Sequence, residues 1–294
     1  MRSLLFVPAD SEKKMAKGAV CGADALIIDL EDSVAAPNKP GARKLAAAFL
    51  AEMRRKPTRP RLYVRINPID TAYWQDDLAG VMAAAPDGLL QPKPRSGADV
   101  DALSAALDVA EREHGLAAGS TRLLALAPEI PLTLINMHTF VATSARLDGL
   151  TWGAEDLSAV VGSQSTREAN GRTWTGPYML ARNLCLMAAA AGGRQAIDTI
   201  YANFRDVEGM AEEARLAARD GFTAKMAIHP DQVAPINQAF TPSATEIAWA
   251  REVVAVFAAN PDAGTLALRG QMLDRPHLVR AQRILLRAKA AGAI

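Results

Sequence analysis

Eight short apolar runs recur along the chain, each followed by a segment with helical spacing. The runs are Ser3–Pro8, Ala25–Leu30, Arg61–Ile66, Gly88–Pro92, Leu123–Ala127, Leu147–Trp152, Ala196–Tyr201 and Ala224–Ile228. They are nearly continuously apolar, the pattern of parallel strands buried on both faces. The segments between them are rich in Ala, Leu, Glu and Arg and predict helices: Glu12–Val20, Ala42–Arg54, Tyr73–Ala84, Val100–Glu113, Leu132–Val141, Tyr178–Ala191, Val207–Arg219 and Gln232–Phe240. A polar loop is expected between Trp152 and Tyr178. Eight β-then-α units predict an (α/β)8 TIM barrel over residues 1–240. An open doubly wound sheet is the alternative, but no run is followed by the GxGxxG of a dinucleotide fold.

Residues 241–294 continue as a C-terminal helical extension. A helix is predicted over Ser243–Ala259, started by Thr241-Pro242-Ser243, and Asn260–Gly264 is a turn-rich break. The tail LALRGQMLDRPHLVRAQRILLRAKA opens with a Gly turn and closes with a basic amphipathic helix. Such a tail is either a packing appendage or a lid.

Composition narrows the partners. The 294 residues are half hydrophobic and 22% charged, ordinary for a chain with a large core. The formal charge of +1, from 33 basic and 32 acidic residues, argues against a nucleic acid or an anionic membrane surface as the main partner. An anionic ligand must therefore be met by a local cluster of positive groups. Cys21 and Cys185 show no metal-binding spacing and no disulfide framework. LLFVPA is too short for a signal-peptide core, and no apolar run reaches the ~20 residues that span a bilayer, so a cytoplasmic protein is expected.

A barrel of this type builds its active site at the C-terminal strand ends. There the sequence places Glu31 and Asp32, Arg65 and Asn67, Lys93, Glu129, Asp156 and His229. Glu129 and Asp156 end the fifth and sixth runs, adjacent strands of a barrel, so their carboxylates can share one coordination sphere. Two hard oxygen ligands without nearby His or Cys favour Mg2+, the other positions going to water and substrate. Asp156 is alternatively a helix cap. Gly153-Ala154-Glu155 permit close approach, and their successive backbone N–H groups suit a carboxylate. Arg65, in YVRIN, is costly in a barrel mouth unless it meets an anion or a developing oxyanion; a salt bridge to Glu31 or Asp32 is compatible with that role. Lys93 stands between Pro92 and Pro94 and is a candidate Schiff-base lysine. His229 in IHPDQ is either structural or catalytic.

Nine motifs in order carry a family resemblance: SLLFVPA, GADALIIDLEDSVAAPNK, VRINP, QPK, the Glu129 segment, LDGLTWGAEDL, AIDTIY, GFTAKMAIHPDQV and LDRPH. Together, from Arg2 to about Arg280, they resemble the citrate lyase β-subunit-like branch of the HpcH/HpaI aldolase superfamily, of the malyl-CoA and citramalyl-CoA lyase type. The resemblance implies a Mg2+-dependent barrel that makes or breaks a C–C bond between a CoA thioester enolate and a keto acid. By motif, Glu129 and Asp156 match the metal carboxylates, and Arg65 matches the arginine beside the thioester carbonyl. The GAEDL amides match those that hold the keto-acid carboxylate. Glu31 and Asp32 match the acidic pair near the metal-bound water. In such lyases the tail closes over a neighbouring subunit's barrel and supplies an acid/base aspartate, matched by Asp274 in MLDRPH. Trimers or hexamers are therefore expected. One departure stands out. Where the family has I-E-T/S, this chain has APEIP, so Pro128 and Ile130-Pro131 alter the backbone beside Glu129 and remove a hydroxyl.

CoA phosphates would need positive groups near the mouth, and Lys14, Lys39 and Arg43 are the candidates. Three other readings remain open: a metal-dependent aldolase of free hydroxy-keto acids, a lyase subunit that depends on an acyl carrier, and a malyl-CoA thioesterase.

Overall fold

The computed structural model describes residues 1–294. Eight parallel strands close into a barrel in sequence order: β1 Ser3–Pro8, β2 Ala25–Asp29, β3 Arg61–Arg65, β4 Gly88–Pro92, β5 Arg122–Leu126, β6 Leu147–Thr151, β7 Gln195–Asp198 and β8 Ala224–Ala227. The surrounding helices are α1 Glu12–Ala19, α2 Lys39–Arg54, α3 Trp74–Val81, α4 Gly97–Glu113, α5 Pro131–Ile135, α6 Ala154–Val161, α7 Gly176–Ala191, α8 Val207–Asp220 and α9 Val233–Phe240. The TIM barrel read from the apolar runs is the fold. No helix is long and apolar enough to cross a membrane.

Strand side chains alternate between two cores, as the two-residue period of a strand requires. Leu4, Ile27, Tyr63, Leu124, Ile197 and Met226 belong to the cluster inside the barrel. Leu26, Ile28, Val64 and Ala125 belong to the layer between sheet and helices. Asp29 is the next inward position after Ile27, and Arg65 the next after Tyr63. The two are register partners across β2 and β3. The inner column of the barrel thus turns from apolar to charged at its C-terminal end.

Two helical expectations are corrected. Leu132–Val141 is not one helix: α5 is short, and Met137–Phe140 follows as a 3-10 turn. Asn136, between them, leaves helical geometry at ψ 7°. The loop expected after Trp152 opens instead with α6. Gly153 flanks it in extended conformation, Glu155 and Asp156 fall in its first turn, and Gly162 closes it at φ 73°. Acidic residues at a helix start and a left-handed glycine at its end are favourable boundary signals.

The C-terminal segment folds on itself. Helix α10, Ala244–Ala259, starts at a capping box in which Ser243 Oγ accepts from the Glu246 N–H and the Glu246 carboxylate accepts from the Ser243 N–H. A hairpin, β9 Leu266–Leu268 with β10 Gln271–Leu273, was not anticipated. Its two turn residues, Arg269 and Gly270, have φ of 50° and 77°, as a type I′ turn needs. Helix α11, Arg275–Ala290, packs on α10 through Val253, Phe257, Ala281 and Ile284.

Gly88, at the start of β4, has no room for a side chain. A Cβ there would lie 2.6 Å from the Arg122 carbonyl and would overlap the Tyr63 ring. Gly88→Ala should destabilise the barrel by about 1–3 kcal/mol, the usual cost of overpacking, read from the urea midpoint. An unchanged midpoint would mean that the interior relaxes freely there.

Candidate active site

Arg65 is the best-anchored group at the mouth. It is 9% exposed, and its Nε and Nη2 donate to the two carboxylate oxygens of Asp29, each at 2.7 Å. Its guanidinium lies 4.9 Å from the Phe6 ring centroid. Burial opposes the charges of both partners, but each more than offsets this for the other: the Asp29 carboxyl is held below its ordinary range and Arg65 above its own. Asp29 also accepts from the backbone N–H of Glu31 at 2.9 Å and of Ser33 at 3.3 Å, which fixes the loop carrying Glu31 and Asp32.

Glu31, Asp32 and Asp156 converge on Lys93. The Lys93 Nζ lies 2.6 Å from Glu31 Oε1, 3.2 Å from Asp156 Oδ1 and 3.4 Å from Asp32 Oδ2. Its backbone, at φ 50° between two prolines, directs the Lys93 N–H to Glu129 Oε2 at 2.9 Å. Burial works against the ammonium, but Glu31, Glu129 and Asp156 outweigh it and raise its pKa. A Schiff-base lysine needs the opposite shift. An ammonium held among three carboxylates does not suit Schiff-base chemistry.

Glu129 is 1% exposed and packs against Gly153, where a Cβ would lie 2.9 Å from Glu129 Cγ. Glycine at 153 is what lets the start of α6 reach the carboxylate. Burial first, then the neighbouring Glu31 and Asp156 charges, push the Glu129 carboxyl well above its usual range. Burial likewise lifts Glu31 to about 7, despite Lys93 and Arg65. Glu31 Oε2 lies 2.8 Å from Arg65 Nη1 but outside hydrogen-bonding geometry, and it makes no hydrogen bond. Lys93 holds its proton because several carboxylates share it; Glu31, buried and sharing, is poorly supported as an anion.

The mouth therefore carries Asp29, Glu31, Asp32, Glu129 and Asp156 against Arg65 and Lys93. This excess of oxygen ligands, with no His or Cys among them, fits a hard divalent cation. No three of them enclose an ion by themselves, so an ion held by Glu129 and Asp156 would keep positions for water and substrate. A cavity of about 440 Å³ opens beside them, lined also by Phe6, Leu126, Trp152, Thr199, Ile200 and Met226. The first-turn residues Ala154, Glu155 and Asp156 of α6 line it, with their N–H groups at a helix start suited to an anion. Asp156 is a first-turn residue and not the cap, which is Gly153.

Other candidates fall elsewhere. Lys14 is exposed on α1, away from the cavity lining. Lys39 and Arg43 are corrected as phosphate contacts. Lys39 is buried, donating to the Leu30 carbonyl at 2.7 Å and the Glu31 carbonyl at 2.9 Å. Arg43 is spent on Asp77 at 2.8 Å, Asp76 at 3.1 Å and the Tyr73 carbonyl. Asn67 binds Asp77 and the Leu30 carbonyl. His229 stacks on Phe204 at 5.2 Å and caps the turn after β8. Asp274 caps α11, its carboxylate 2.6 Å from His277 Nδ1, and does not line its own chain's cavity. Asp29, missed in the sequence, was marked only by sharing the parity of Ile27 in ALIIDLED.

A parallel barrel whose carboxylate-rich mouth, buried arginine and helix start surround one cavity has the layout of a metal-dependent active site. The chain belongs to the HpcH/HpaI aldolase/citrate lyase family, whose profile matches residues 2–230, and this places it among carbon–carbon lyases. It is 37% identical over 288 residues to the citrate lyase subunit beta-like protein of Mycobacterium tuberculosis, covering 98% of this chain and 95% of the relative. It is 31% identical over 298 residues to the mitochondrial citramalyl-CoA lyase of Mus musculus, covering 97% of this chain and 85% of that one. A crystal structure of the CitE protein of Mycobacterium tuberculosis, in complex with magnesium, acetoacetate and coenzyme A, superposes with a TM-score of 0.77 at 36% identity, covering 98% of both chains.

The raised carboxyls give the metal-free protein an unusual pH dependence. A group whose pKa rises on folding stabilises the fold below its unfolded value and loses that contribution as pH climbs through its folded value. For Glu31 the window runs from 4.5 to about 7, and Glu129 acts in the same direction. Without divalent metal, urea stability should fall between pH 5 and pH 7.5, and Glu31→Gln should flatten the fall. A wild-type stability that rises across this range would contradict the assignment.

Proposed function

We propose that this chain is a Mg2+-dependent lyase that cleaves, or forms, a 3-hydroxyacyl-CoA, giving an acyl-CoA and a keto acid through a thioester enolate. The observation that carries the reading is the convergence of Glu129, Asp156, Arg65 and the first turn of α6 on one cavity. Glu129 and Asp156 would hold the ion. When bound, Mg2+ supplies positive charge that lowers the pKa of the substrate 3-hydroxyl and orients the keto-acid portion.

In cleavage, the Glu31–Asp32 pair takes the hydroxyl proton, with Asp32 lining the cavity and Glu31 preceding it in the chain. The C2–C3 bond breaks, its electron pair passes to the thioester as an enolate, and C3 becomes the keto carbon. Arg65 stabilises the enolate oxygen, a role worth about 3 kcal/mol for one well-placed donor. The α6 amides and Gly153 receive the keto-acid carboxylate. Asp274 then protonates the enolate carbon, or removes that proton in the forming direction. Asp274 lies half-exposed outside its own cavity, in a segment that also exposes Met272 and Val279. That supports a tail that closes over the barrel of a second copy, as a trimer or hexamer would allow.

A second reading, an aldolase of free hydroxy-keto acids, is favoured by one observation. With Lys39 and Arg43 committed internally, Lys14 is what remains of the three candidate CoA cations.

A panel of malyl-CoA, citramalyl-CoA, β-methylmalyl-CoA and citryl-CoA, with and without Mg2+, separates the readings. Mg2+-dependent release of an acyl-CoA plus a keto acid is expected. Turnover confined to free 4-hydroxy-2-keto acids would establish the aldolase. Asp274→Asn should lower turnover by about 10²–10⁴-fold with metal affinity retained; equal loss of both would remove Asp274 from the proton-transfer role.

A further inference from the structure

We infer that the keto acid handled by this barrel carries a short alkyl group, and not a second carboxylate, on its carbonyl carbon. The inference rests on the lyase reading above. The carbon that becomes the keto carbon bears a hydroxyl, a carboxylate and one further group. On the lyase reading the first two are taken by the Glu129–Asp156 side and the first turn of α6. The third is left to the remaining wall of the cavity.

That wall is mainly apolar, with the uncharged Thr199 as its polar member beyond β7. Leu126 from β5, Met226 from β8, Ile200 beyond β7 and Ile228 beyond β8 line it. Leu126 and Met226 cap the inner cluster of the barrel, with Ile200 packed against it. The charged side chains of the lining are the carboxylates Asp29, Asp32, Glu129, Glu155 and Asp156, with Arg65 as the one cation. Arg65 directs two donors to Asp29, and its remaining nitrogen, beside Glu31 and Asp32, is the one the proposed mechanism gives to the enolate oxygen. Lys93 is held among Glu31, Asp32 and Asp156. His229, adjacent to Ile228, stacks on Phe204 and is not part of the lining. A second substrate carboxylate would thus lose water, gain no cation and stand near acidic neighbours. A methyl or ethyl group would gain apolar contact instead.

The test compares three thioesters that differ in that group, using the full chain with Mg2+: hydrogen in malyl-CoA, methyl in citramalyl-CoA and carboxymethyl in citryl-CoA. The methyl probe should exceed the hydrogen probe in kcat/KM by about fourfold or more, the factor for one buried methyl group. The carboxymethyl probe should fall about 100-fold below the methyl probe. Calorimetry on the Mg2+-loaded protein gives a readout without turnover, and pyruvate should bind more tightly than oxaloacetate or glyoxylate. Ile200→Arg, checked for native circular dichroism, supplies the missing cation and should narrow the methyl-to-carboxymethyl ratio about tenfold. Cleavage of the thioesters with citryl-CoA equal or preferred would overturn the inference and leave the lyase intact. Pyruvate preference in calorimetry with every thioester inert would sustain the alkyl pocket and remove the lyase.

Discussion

The fork between Arg65 and Asp29 is the interaction on which the mouth depends. It joins neighbouring strands in register, so the pair is set by the barrel's own hydrogen bonding. Both groups point inward from positions that, one layer below, hold Ile27 and Tyr63. Removing one partner of such a buried pair typically costs about 3–5 kcal/mol, because the other charge is left uncompensated. The same carboxylate orients the loop of Glu31 and Asp32 through two backbone N–H groups. One residue thereby fixes the direction of the arginine and the place of the acidic pair.

Around that fork the mouth gathers more negative charge than it neutralises. Lys93 illustrates how the metal-free fold tolerates this. Its left-handed backbone gives its N–H to Glu129 while its ammonium is shared by Glu31, Asp32 and Asp156. One ammonium cannot support all of these carboxylates. The remainder of the imbalance appears as the raised carboxyls of Glu129 and Glu31. An arrangement that is poor for folding alone is suited to a divalent cation, whose binding energy adds to the stability of the loaded state.

The barrel was legible because parallel strands buried on two faces leave an unbroken apolar signature, repeated eight times. Glu129, Asp156, Arg65 and Glu31 were legible for a related reason: each is a charge at or just beyond the edge of an apolar run, Asp156 in the first turn of α6. Asp29 was hidden because it lies inside such a run, where only the inward parity of Ile27 distinguishes it. Lys39 and Arg43 misled because a cation's composition does not say which way it turns; burial of both against carbonyls and carboxylates decides that. The start of α6 was obscured by Gly153, which reads as a loop signal and serves as a close-packing position against Glu129. The apolar wall of the cavity comes from residues scattered over β5, β8 and the segment after β7, and no local pattern unites Leu126, Ile200 and Met226.

On the proposed mechanism, a separate C-terminal unit suits the electrostatics of the mouth. A proton donor kept permanently in the mouth would add another carboxylate to a site already rich in them, and its pKa would be driven by its neighbours. Asp274 avoids that environment. Its carboxylate is held by His277 at the start of α11, in a unit whose apolar cluster is its own. On the proposed mechanism the acid reaches the enolate carbon only when the tail closes, so burial of the carboxyl and exclusion of water occur together. The hairpin before it, with Arg269 and Gly270 in left-handed conformation, gives Asp274 a short, defined support at the edge of that unit.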